Sequence, residues 1–278
     1  MISHSLLFGT AGIPLSTKPR NTLEGVKQVR VLGLDAMELE FVQSVNVSEV
    51  LAPQVKKVAQ ENKVILTSHG QYFVNLAAIE PVKVQASLDR MFLASKTLHA
   101  CGGWSITWHM AFYLGRPPDV VHEIVKKNLK ELMKKLDDSG IDLWIRPETT
   151  GKGTQWGDLL ECIKLSQEFE NVLPCIDFAH LHARYNGKNN STEEWRTMLA
   201  LTEKELGRRA LDNMHIQVSG VNYSEKGERN HLNLDESDLK WKDLVNVWKE
   251  FKLKGVVIAE SPSIEGDSLL LQKEWKKV

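Results

Sequence analysis

Short apolar runs alternate with amphipathic stretches along the whole chain. Runs at 5–10, 36–41, 63–68, 104–108, 143–146, 172–176, 215–218 and 256–259 are bounded by turn residues and predict buried strands. Each is followed by a stretch of helical periodicity, at 23–31, 47–62, 82–100, 119–138, 156–169, 191–206, 241–251 and 268–275. In the fourth of these, Val121, Val125, Leu129, Leu132 and Leu136 share one face and lysines occupy the other. The sixth opens on Ser191-x-x-Glu194, a capping-box pattern. Strict strand–helix alternation predicts a parallel sheet. Eight units in 278 residues, with no linker or composition break, predict an α/β fold, a single (β/α)8 TIM barrel over residues 1–278. A doubly wound sheet would carry a glycine-rich turn after its first strand, and Gly9-Thr10-Ala11-Gly12 matches that poorly. The polar loop 220–240 follows the seventh strand, on the face where barrels carry their sites.

Composition adds bounds. Hydrophobic content of 42% and charged content of 26% suit a protein with a full-sized core. The net charge of -1 requires any nucleic-acid contact to come from a local patch. Cys101, Cys162 and Cys175 form no CxxC pair and are odd in number, which argues against a disulfide framework and for a reducing compartment. The N-terminus shows no basic-then-apolar leader, and no apolar run approaches the ~20 residues that span a bilayer. A cytoplasmic monomer is the expectation.

Chemistry-bearing residues collect where the strands end. The third strand leads to His69, the fourth to His109 and the fifth to Glu148. Asp177 and His180 follow the sixth, His215 belongs to the seventh with Glu228 and His231 in its loop, and Glu260 follows the eighth. A lone strand-end histidine is commonly structural. Five of the nine histidines at the ends of four strands form a pattern, because a barrel brings all those ends to one face. Imidazole and carboxylate are ligands for zinc and similar cations, and so many of them exceed the needs of one metal. A site of two or three metals with a bridging carboxylate suits phosphoester hydrolysis.

The motifs around these residues resemble the endonuclease IV family, zinc-dependent apurinic/apyrimidinic endonucleases on a TIM barrel. The resemblance is carried by His69-Gly70-Gln71-Tyr72-Phe73-Val74-Asn75-Leu76, Glu148-Thr149-Thr150-Gly151-Lys152-Gly153, Cys175-Ile176-Asp177-Phe178-Ala179-His180, His215 and Glu260-Ser261-Pro262. It implies that His69, His109 and Glu148 hold one zinc and that Glu148, Asp177, His215 and Glu260 hold a second. His180 and His231 would hold a third, with manganese also suited to the ligand mix. It further implies hydrolysis 5′ to an abasic site in double-stranded DNA, leaving a 3′-hydroxyl and a 5′-deoxyribose phosphate. Glu148 would orient the nucleophile, and Tyr72 and Phe73 would wedge into the duplex. Three departures mark a diverged branch. His109-Met110-Ala111 stands for His-Pro-Gly, Gly9-Thr10-Ala11 lacks a His-x-Ser pattern, and the Asp-x-His of the seventh loop becomes Arg229-Asn230-His231 with Glu228 one residue further back. A sugar isomerase or epimerase on the same kind of barrel is the alternative.

Overall fold

The computed structural model describes residues 4–277. Its main sheet is formed by Leu6–Ala11, Ala36–Glu40, Ile65–His69, Ser105–Trp108, Trp144–Pro147, Cys175–Asp177, Met214–Val218 and Gly255–Ala259. All neighbours are parallel: the first strand pairs with the second and the eighth, and ladders run from the second to the fifth and from the sixth to the eighth. Two single parallel bridges, Ile145↔Val172 and Glu148↔Cys175, join the fifth strand to the sixth and close the (β/α)8 TIM barrel. The seventh and eighth strands are buried at every residue, because helices cover one face and side chains fill the other.

The helices follow the periodicity, and their ends follow cap chemistry. Pro118–Asp138 buries the five predicted apolar residues. Thr192–Leu206 is capped by Ser191, whose side chain accepts from the Glu194 amide. The second helix begins at Ala52, later than its periodicity suggests, because Pro53 is accommodated only in a first turn. The fifth begins at Leu159, where Asp158 and Glu161 form a capping box. Trp156, expected to open that helix, instead lies in the strand Gln155–Trp156, which pairs antiparallel with Ala111–Phe112. The stretch 220–240 is no open loop: Gly220–Ser224 and Gly227–Leu232 make an antiparallel hairpin, followed by a short 3-10 turn, Leu234–Glu236. The three cysteines are free and buried. Among the described residues no helix is long and apolar enough to cross a membrane.

Candidate metal centre

Glu148 stands at the middle of the barrel mouth. It follows the fifth strand, is fully buried, and its amide donates to Trp108 O at 3.1 Å. Its Oε2 lies 3.1 Å from His69 Nε2, and its Oε1 lies 2.7 Å from His109 Nε2 and 3.2 Å from His180 Nδ1. Burial opposes the charge on Glu148, yet His109 and His69 hold its carboxyl well below the usual range. The ring of His69 explains what this arrangement demands. Its Nδ1 faces Gly70 O at 2.7 Å, and a carbonyl only accepts, so Nδ1 carries the hydrogen. Nε2 is thereby aimed at an anion, and either a proton or a cation must stand between them. Burial works against a charged ring here, but Glu148 beside it pushes the His69 pKa up to about 10. A divalent cation meets the same demand.

Two further imidazoles are set the same way. His180 Nδ1 faces Thr149 O at 3.0 Å, and His231 Nδ1 faces Glu260 O at 3.1 Å. Backbone carbonyls thus fix both rings with Nε2 left to accept a metal. Asp177 caps the short helix Phe178–Arg184, its Oδ1 accepting from the His180 amide at 2.7 Å. Its Oδ2 is buried with no hydrogen-bond partner, an orphan that a cation would satisfy. Burial, and next Asp177 and Glu148, push the Glu260 carboxyl well above its usual range. This crowding of carboxylates fits a site built for positive charge.

The hairpin brings the outer residues in. Glu228 and His231 are three apart, an odd spacing that puts side chains on opposite faces of a regular strand. The ladder shifts at Asn222/Tyr223, which pair with Asn230 and Glu228 respectively, so Arg229 is a bulged extra residue. The bulge returns Glu228 to the face of His231. Glu228 Oε1 lies 3.6 Å from His231 Nε2, and its Oε2 lies 3.5 Å from His180 Nε2. The bulge therefore absorbs the one-residue departure from Asp-x-His. Gly151 makes room: a Cβ there would meet Glu228 Cβ at 2.7 Å and His180 Cδ2 at 3.1 Å. Gly151→Ala is expected to displace Glu228 and to lower metal content by up to one equivalent without unfolding the barrel. Metal analysis beside far-UV circular dichroism checks this.

Three sets of ligand atoms lie within 4.8 Å of one another: His69, His109 and Glu148; Glu148, Asp177 and His180; His180, Glu228 and His231. A cavity of about 330 Å³ joins most of them, lined also by Tyr72, Lys152, Gln155 and Glu260. The residues present therefore fit divalent cations. Tyr72 leans over the centre, its ring 5.3 Å from that of His69, and Phe73 beside it is 57% exposed.

The expectation for His215 is corrected. It is the second residue of its strand, so it sits deep in the barrel, 3.0 Å from Glu38 Oε2 and 3.1 Å from Ser105 Oγ. Two residues nearer the mouth on the same face is Gln217, which donates to Glu260 Oε1 at 3.0 Å. Glu38 and Gln217 escaped the sequence reading. The alternation Glu38-x-Glu40 inside an apolar run was the available signal, since it turns both carboxylates inward. Two loop arginines are engaged within the protein: Arg116 donates to Ala77 O and Tyr113 O, and Arg184 to Thr150 Oγ1, Lys152 O and Gln155 O.

This barrel with a ligand-bearing mouth agrees with comparison to known proteins. Residues 26–276 match the model of a family described as xylose isomerase-like TIM barrel. The chain belongs to that family. An uncharacterized protein of Methanocaldococcus jannaschii is 40% identical over 273 residues, 98% of each chain. A probable endonuclease 4 of Mycoplasma pneumoniae is 27% identical over 204 residues, 70% of this chain and 67% of that one. Among solved structures, endonuclease IV from Thermus thermophilus superposes with a TM-score of 0.71 at 17% identity, covering 96% of this chain and 97% of the other. A D-tagatose 3-epimerase-like protein superposes with a TM-score of 0.70 at 13% identity, covering 95% and 94%. Within the xylose isomerase-like TIM barrel family, the fold alone therefore does not separate nuclease from epimerase.

Proposed function

We propose that this protein is a metal-dependent endonuclease that hydrolyses the phosphodiester 5′ to an abasic site in double-stranded DNA. The products would be a 3′-hydroxyl and a 5′-deoxyribose phosphate. The observation that carries the reading is the outer set, His180, Glu228 and His231, added to the two sets that share Glu148. Clamping the attacking and leaving oxygens of a phosphodiester employs more than one cation, and the three sets offer places for them. The similarity to the probable endonuclease 4 supports the same choice.

His69, His109 and Glu148 would hold one cation and His180, Glu228 and His231 another, while Glu148 and Asp177, with Glu260 from the wall of the same cavity, would hold the remaining one. Zinc suits the imidazole-rich sets and manganese the carboxylates. Bound there, the cations would supply Lewis acidity toward the phosphate and lower the pKa of the attacking water. Glu148, with both oxygens at the cavity, would orient that water. Lys152, Lys226 and Arg229 line a recess adjoining the centre and would contact backbone phosphates.

A duplex carrying one tetrahydrofuran abasic analogue, supplied with zinc or manganese, should be nicked once, 5′ to the lesion. Turnover of a ketose with no nick would assign the sugar-epimerase reading instead. Phe73→Ala is expected to weaken binding of that duplex about 5–150-fold, in line with ~1–3 kcal/mol for a stacking aromatic, while leaving metal content unchanged. Fluorescence anisotropy with abasic and intact duplexes measures it, and equal loss on both would remove the wedge role.

A further inference from the structure

A chain of contacts rises from the barrel floor to the candidate metal centre, and its members lie outside the three ligand sets. Arg146 is fully buried at the floor, its guanidinium 5.1 Å from the Trp104 ring and 5.2 Å from the Trp144 ring. Its Nε donates to Ser105 Oγ at 3.0 Å. The same hydroxyl lies 3.1 Å from His215 Nδ1. His215 Nε2 faces Glu38 Oε2 at 3.0 Å. Thr67 Oγ1 donates to that oxygen, at 2.8 Å. Glu38 is thus a buried anion held in place from two sides.

Gln217 links this anion to the centre. Its Nε2 donates one hydrogen to Glu38 Oε1 at 2.8 Å and the other to Glu260 Oε1 at 3.0 Å. Its Oε1 accepts from Cys175 Sγ at 3.2 Å. The amide has one workable orientation, since a flip would set its oxygen against two carboxylates. We infer that Gln217 is a positioning residue that locks the Glu260 carboxylate to the anchored Glu38 and leaves the remaining Glu260 oxygen for a cation. An outer hydrogen bond of this kind fixes the ligand's rotation before metal arrives. An amide suits the place because it bridges two anions without adding charge.

The inference rests on the proposed metal centre and is independent of which phosphodiester is cut. Gln217→Leu keeps the volume and removes both donors. Its zinc affinity, from competition with a chromophoric chelator, should fall ~10–100-fold. The visible bands of the cobalt(II)-loaded protein should shift, and far-UV circular dichroism should match the wild type. Should Gln217→Leu fail to fold, Glu38→Gln tests the link from its other end, with weakened zinc binding and a shifted cobalt spectrum again expected. Wild-type zinc affinity and an unchanged cobalt spectrum in a folded variant would overturn the positioning role. A wild-type chain that binds zinc yet nicks no abasic duplex defeats the nuclease reading alone, because the metal titrations still decide this one.

Discussion

Glu148→Gln should abolish nicking of an abasic duplex while the barrel stays folded. The two carboxylate oxygens of Glu148 serve His69, His109 and His180 at once. An amide in their place turns one acceptor into a donor and removes the negative charge common to two ligand sets. Removing an outer partner of a ligand costs ~10–100-fold in metal affinity or activity, so removing the shared ligand should cost more than ~100-fold. The ladder contact Glu148 N→Trp108 O is made by backbone and survives, so the circular dichroism spectrum should not change. Nicking rate and metal per chain are the two measurements. Full activity in this variant would show that Glu148 does not bridge.

Metal should also raise the melting temperature strongly. Glu38, Glu148, Asp177 and Glu260 lie inside one barrel, and burial together with mutual repulsion raises the Asp177 and Glu260 carboxyls. Glu40 joins them, pushed up to about 8 by burial and by Glu38. Ligands that bind only the folded chain stabilise it by ~2.7 kcal/mol at one hundred times Kd. For a chain of this size that is roughly 5–10 °C in Tm. Chelator-stripped protein should therefore melt about that much lower than protein resupplied with zinc or manganese. Titration should end at two or three equivalents per chain. A Tm indifferent to both metals would count against the whole centre.

The barrel was legible because strand and helix periods differ and alternate without a break, and because six of the eight strands lead to a polar residue the core would reject. The convergence of His69, His109, Glu148 and His180 at the mouth was legible for the same reason. Depth within a strand was not. His215 and Gln217 point the same way, and only the register of Val256↔His215 and Ile258↔Gln217 shows which one reaches the mouth. The hairpin was hidden because its residues are polar and its bulge breaks the two-residue period at Arg229. The helix Phe178–Arg184 was missed because it is buried along most of its length and shows no amphipathic stripe.

The seam between the fifth and sixth strands bears on how such a protein assembles. Where a backbone ladder would run, a side chain takes over: Thr149 Oγ1 accepts from Asp177 N at 2.8 Å and donates to Asp177 O at 3.1 Å. The neighbours on either side of this hydroxyl are Glu148 and Asp177 themselves. The last stitch of the barrel and the first two carboxylates of its chemistry are thus the same few atoms. Amide exchange at Thr149 and Asp177 should slow when metal binds, because a cation held by both carboxylates would also hold the ring of strands shut.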